Sequence, residues 1–131
     1  MLYFLRAELL ENRIGRNVKM ELVLGAECYR EQIIEMLSGW GQEHIIPSVL
    51  SQGDPVEDFT GFLDIITTDK PNGNFVPSTT YFCYVPDKEK IVGAVNIRHY
   101  LTDDLLSVGH IGGGISPSYR KQGLLTVKRI L

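Results

Sequence analysis

Residues 90–100, KIVGAVNIRHY, restrict the possible folds more than any other stretch of the chain. A β-strand sends successive side chains to opposite faces. Strict alternation puts Ile91, Val95 and Ile97 on one face and Val92 and Ala94 on the other. A strand that is apolar on both faces needs cover on both, which predicts a central strand in a sheet packed by helices. Just upstream, residues 79–85 (TTYFCYV) are β-branched and aromatic, and Pro86-Asp87-Lys88-Glu89 supplies a turn. The two runs therefore read as a hairpin.

The remaining elements follow from period and punctuation. Residues 19–24 (KMELVL) read as a first strand. Residues 28–40 then show helical spacing, with Ile33, Ile34, Leu37 and Trp40 on one side and Arg30, Glu31 and Glu35 on the wet side. A second helix is signalled by Asp54 as N-cap, Pro55 at its first position and acidic Glu57 and Asp58 behind them. Its apolar face is Phe59, Phe62, Leu63 and Ile66. Residues 70–74 (KPNGN) force a loop, and a further strand spans 108–116 until Pro117 ends it. The last residues, TVKRIL, are expected to give about two turns of helix at roughly 1.5 Å per residue. The predicted fold class is α/β (α+β).

At 131 residues the chain is one domain by the usual prior of roughly 100–200 residues. Its net charge of −3 argues against nucleic acid as the main partner, because phosphate neutralisation needs clustered cations. The one basic cluster, Arg120, Lys121, Lys128 and Arg129, suits a small anion better than a polymer. Cys28 and Cys83 have neither zinc nor redox spacing and read as reduced, packed thiols. No segment is apolar enough for a bilayer span, so no membrane partner is expected and the chain reads as cytoplasmic. Residues 1–19 form an N-terminal extension. They are either an over-long reading ahead of an internal start at Met20, or an amphipathic helix with Leu2, Leu5, Leu9 and Ile14 on one side.

The segment 110–125, HIGGGISPSYRKQGLL, carries the chemistry. A turn opening a helix presents several unpaired N–H groups with the positive end of the helix dipole behind them. An anion is held well there. Gly123 clears the backbone for close approach, and Arg120 and Lys121 add positive charge. Glycines at 112–114 inside a strand are expected where a bulge or another extended chain comes near. A thin, amide-bearing arm ending in pyrophosphate fits that description, as does a slack glycine-rich edge strand without ligand.

VGAVNIRHY, LTDDLLSVG and HIGGGISPSYRKQGLL together resemble the middle of a GNAT-type N-acetyltransferase. The family signature [QR]-x-x-G-x-[GA] is met by Arg120-Lys121-Gln122-Gly123-Leu124-Leu125, with Leu125 where Gly or Ala is usual. The order strand, two helices, hairpin matches from about Met20, and EHIIPSVL followed by FVPSTTYF resembles a bacterial branch. The resemblance implies a GNAT-like mixed, mainly antiparallel sheet flanked by helices. It also implies that residues 20–131 are the N-terminal part of an acetyltransferase domain, without the family's C-terminal strands and helix.

The resemblance further implies acetyl-CoA as co-substrate, no metal, and direct attack of a primary amine, small-molecule or peptide, on the thioester. Gly114, Ile115 and Ser116 would serve the carbonyl and pantetheine, and Arg120, Lys121, Gln122, Gly123, Leu124 and Leu125 the pyrophosphate. Base candidates are Glu43, His44 and His99, each of which also has a plain structural reading, with His110 a further histidine on the sheet strands. Asn96 and Arg98 could orient the acceptor or simply bond neighbouring strands. The alternative function is a degenerate relative that binds coenzyme A or only dimerises. A shortened sheet would leave an edge and an apolar face open, so a homodimer through the exposed sheet edge is expected.

Overall fold

The computed structural model describes residues 2–6, 10–11, 17–70, 76–102, 110–119 and 126–130, with side chains described for 19–70, 76–102 and 110–119. The described residues form eight strands and two α-helices: β1 (Leu2–Arg6), β2 (Leu10–Glu11), β3 (Asn17–Val18), β4 (Glu21–Leu24), α1 (Arg30–Ser38), α2 (Phe59–Ile66), β5 (Ser78–Val85), β6 (Lys90–Arg98), β7 (Ile111–Ile115) and β8 (Thr126–Ile130). The main sheet has four antiparallel strands in the order β4-β5-β6-β7. The protein is thus α+β, with α1 and α2 inserted between the first two strands of an antiparallel sheet.

β6 is central, as its sequence predicts, but its alternation is broken. Cys83 of β5 pairs with Gly93, while Tyr84 pairs with Ile91. Val92 is therefore an extra residue with no partner on β5, a β-bulge. A one-residue slip exchanges faces. Ile91 and Ala94 accordingly share the helix-covered face with Phe82, whereas Val92 and Val95 lie with Cys83 and Val85 on the other, next to Ile97. This corrects the strict alternation read from 90–100.

On the helix-covered face, Ile33 and Met36 of α1 and Phe59, Phe62 and Ile66 of α2 meet Phe82, Ile91 and Ala94. Burying each such side chain is worth about 1.5–3 kcal/mol. Among the described residues, neither α1 nor α2 contributes to the second face, yet Met20, Cys83, Val85, Val92 and Val95 are all 2% exposed or less. The apolar face expected to lie open is closed within the chain.

Three other expectations are corrected. α2 starts at Phe59, and its N-cap is Asp58, whose carboxylate accepts the Gly61 N–H at 3.0 Å. Asp54 instead closes the preceding turn by accepting from Val56 and Glu57 N–H, each at 3.1 Å. The tail 126–130 is not helical. Its β-branched Thr126, Val127 and Ile130 favour an extended chain, and β8 pairs antiparallel with β1. Its partner Leu2–Arg6, with aromatic Tyr3 and Phe4, is a strand rather than the start of the amphipathic helix carrying Leu2, Leu5, Leu9 and Ile14. Among the described residues, no helix is long and apolar enough to cross a membrane.

Candidate functional site

β7 organises the site. Two hydrogen bonds fix its phase against β6: Arg98 N–H donates to His110 O at 2.7 Å, and Ser116 N–H donates to Val92 O at 2.8 Å. In an antiparallel ladder, alternate residues turn their main-chain groups toward opposite neighbours. With His110 and Ser116 facing β6, so do Gly112 and Gly114. The N–H and C=O groups of Ile111 and Gly113 turn to the outer edge, where none of the described strands pairs with β7. Gly113 is exposed there.

The bulge expected in this strand lies instead on β6, and the extended chain that crosses its glycines is the protein's own. Gly112 and Gly114 pair with Asn96 and Ala94 and share their helix-covered face. Ile46–Pro47, joined by a cis peptide bond, lies over them. A β-carbon on Gly114 would come within 2.4 Å of Ile46 O, and one on Gly112 within 3.8 Å of Pro47 Cβ. The strap therefore runs along β7 from Gly114 toward Gly112.

This strap ends the loop that begins at the C-terminus of α1. Trp40 is buried, Glu43 N–H donates to Trp40 O at 3.0 Å, and Glu43 and His44 are both exposed. The loop is anchored at the end of β7 by Gly39 against Ser116 and by Ile46 against Gly114, and Glu43 and His44 lie between these two anchors in sequence. His99 sits elsewhere. It lies five positions beyond Ala94, about 16 Å at roughly 3.3 Å per residue. Its Nε2 hydrogen-bonds Thr79 Oγ1 at 2.9 Å, and its N–H donates to Pro77 O at 2.8 Å. Glu43 and His44 thus lie between two anchors at the end of β7, while His99 is held on Thr79 and Pro77 at the far end of β6.

Asn96 is 5% exposed. Both protons of its amide are used internally, in bonds to Ser78 Oγ at 2.9 Å and Thr80 Oγ1 at 3.0 Å. Thr80 Oγ1 in turn donates to Ile66 O, and Thr80 N–H donates to Thr67 Oγ1 at 2.9 Å. Asn96 therefore ties β6 to β5 and, through Thr80, to the end of α2. Neither amide proton is left for an acceptor. Arg98 closes β6, half-buried, opposite Ser78.

Ser116 is 1% exposed. Its N–H goes to Val92 O, its carbonyl accepts Tyr119 N–H at 2.9 Å, and its hydroxyl donates to Met36 O at 3.4 Å. Its N–H, carbonyl and hydroxyl are thus all engaged within the protein. Arg120, Lys121, Gln122, Gly123, Leu124 and Leu125 lie outside the described residues.

Beyond Ser116 a groove of about 210 Å³ opens between α1 and the turn Pro117–Tyr119, lined in part by Gln32, Glu35, Lys90, Ser118 and Tyr119. Within it Lys90 Nζ donates to both Glu35 oxygens, at 2.7 and 2.9 Å. That hydrogen bond raises the Lys90 pKa, opposed by a smaller desolvation effect. A hollow of about 710 Å³ on the wet side of α1, lined by Glu27, Cys28, Glu31 and their neighbours, holds none of the predicted site residues. Among the described residues, no group of three His, Cys, Asp or Glu is placed to hold a metal ion.

The strap and the support role of Ser116 were not read from the sequence. Pro47 and the glycines at 112 and 114 were the available signals, but only the fold shows that they face each other. The chain matches no protein-family model, no curated protein and no solved structure.

Proposed function

We propose that this chain belongs to the GNAT type of N-acetyltransferase and moves an acetyl group from acetyl-CoA to a primary amine. The observation that carries the reading is the outer edge of β7. There, exposed Gly113 turns its main-chain groups away from the sheet, two residues before the strand runs into the Ser116–Tyr119 turn and the signature segment. An extended, amide-bearing pantetheine arm can bond to such an edge as a strand would. The strap over Gly112 and Gly114 leaves the edge, rather than the helix-covered face, as its path.

In this reading the amine nitrogen attacks the thioester carbonyl carbon. A C–N bond forms, the C–S bond breaks, and the coenzyme leaves as thiolate. An N–H of the β7 edge stabilises the oxygen that gains negative charge. The amine proton passes to a base on the loop beside β7, for which Glu43 and His44 are the candidates. Arg120–Leu125 hold the pyrophosphate. The partner for the outer edge of β4, where Leu24 is 54% exposed, is a second copy of the chain.

Calorimetric titration with acetyl-CoA, followed by thiol release with a panel of small amines and peptides, tests the reading. Binding with amine-dependent release supports it. Binding without release reduces the protein to a coenzyme A binder, and the absence of both binding and release overturns the acetyltransferase reading.

A further inference from the structure

We infer that Ser116 is a positioning residue, which together with Gly39 locks the loop bearing Glu43 and His44 onto the end of β7. Three elements meet at this serine. Its main-chain N–H reaches the bulge residue Val92, its carbonyl holds the turn that follows, and its hydroxyl reaches Met36 O in the last turn of α1. The carbonyls of a helix's last turn lack intrahelical donors. Here Trp40 N–H turns to Leu37 O, and the Ser116 hydroxyl serves Met36 O instead. Because the donor comes from another element, this cap also joins α1 to β7.

Gly39 makes the close approach possible. A β-carbon at this position would stand 2.9 Å from Ser116 Oγ and 3.3 Å from Met36 O. The loop is thereby fixed to β7 at its start by Gly39 against Ser116, and at its end by Ile46 against Gly114. A short loop held at both ends has little freedom at its middle, where Glu43 and His44 lie. Reacting groups held this way gain rate through orientation, and a displacement of about 1 Å can cost a hundredfold.

The experiment uses the full chain as wild type, Ser116→Ala and Gly39→Ala, with Ile66→Val as a control that loosens the core away from the joint. Amide hydrogen exchange is read at the bonded N–H groups of Gly39, Trp40, Gly41 and Glu43 and compared with Phe82 and Val95. Both joint variants are expected to speed exchange in the loop set about tenfold beyond any change in the core set, while the control moves the two sets together. Equal acceleration of both sets, or none, in the joint variants overturns the inference. Gly39→Ala provides the same readout should Ser116→Ala fail to fold.

A second arm rests on the acetyltransferase reading. Ser116→Ala is expected to lower kcat about tenfold or more with the KM for acetyl-CoA unchanged. A raised KM with unchanged kcat would make Ser116 a cofactor contact and overturn the positioning role. If the wild type neither binds acetyl-CoA nor releases thiol, the acetyltransferase reading fails, and the exchange measurement alone decides the joint.

Discussion

The carbonyl oxygen of Ile46 sits so close over Gly114 that a β-carbon on the glycine would lie 2.4 Å from it, with the Ile46 carbonyl carbon at 3.0 Å. Both are backbone atoms, so relief requires the strap or the strand to shift. Gly114→Ala is expected to destabilise the fold by about 1–3 kcal/mol, the usual range for overpacking. Gly112→Ala meets only Pro47 Cβ at 3.8 Å, an ordinary contact, and is expected to be close to neutral. Urea unfolding of the two variants checks the contrast. Equal costs at both positions would mean that the strap does not lie as described.

Asn96 and His99 were both candidates for work on a substrate, and the structure separates their energetic roles. Truncating Asn96 to Ala removes two bonds inside a buried network, with an expected loss of about 1–3 kcal/mol. His99 is exposed, and His99→Ala is expected to stay within about 0.5 kcal/mol of wild type. Denaturant midpoints on the two variants distinguish them.

The two cysteines are expected to differ in reactivity. Cys28 is exposed and Cys83 fully buried, with burial pushing its thiol up to about 12. At pH 8 a thiol reagent should label one site in the native protein and the second only after unfolding. Because the folded pKa is raised, the folded state holds this proton longer than the unfolded state. The stabilising contribution is complete below the ordinary thiol value and is lost as pH rises toward 12, by up to about 1.4 kcal/mol per pH unit. Cys83→Ala should flatten that part of the stability–pH curve, and an unchanged slope would assign it to other groups.

A homodimer through the β4 edge should appear in light scattering as twice the chain mass. Lysine on an edge strand opposes pairing, so Leu24→Lys should shift the mass toward the monomer. A wild type that stays monomeric at all concentrations ends the proposal.

The hydrophobic pattern made much of this architecture legible. Phe59, Phe62 and Ile66 on one side of a helix, and a long strand apolar on both faces, are local signals that packing reinforces. The bulge at Val92 was not legible, because it depends on the register with β5 and not on any residue in β6 alone. The N-cap was misplaced by four residues because Asp54 and Asp58 are equally good caps in isolation. What separates them is Gly61, which leaves room for the Asp58 carboxylate. In the site, residue type alone could not distinguish Glu43 and His44 from His99, since the anchors of their loop at Gly39 and Ile46 and the bonds of His99 to Thr79 and Pro77 are set by the fold. Ser116 was read as a ligand contact because its neighbours in sequence suggest one, whereas its burial comes from α1, some 80 positions away in sequence.

The unpaired Val92 has a consequence for how this protein can change length. On either side of it the strand keeps a regular rhythm, and the two rhythms are one step out of phase. Removing that residue would bring them into step, with Ile91 and Ala94 still turned to the helices and Val95 to the far side. Losing Gly93, which pairs with Cys83 on that same far side, would have the same result, whereas losing an interior residue of β6 away from this pair would turn part of the strand inside out. Within β6 the bulge at Val92 and Gly93 is thus where a codon can be lost without exchanging the sheet's inside for its outside.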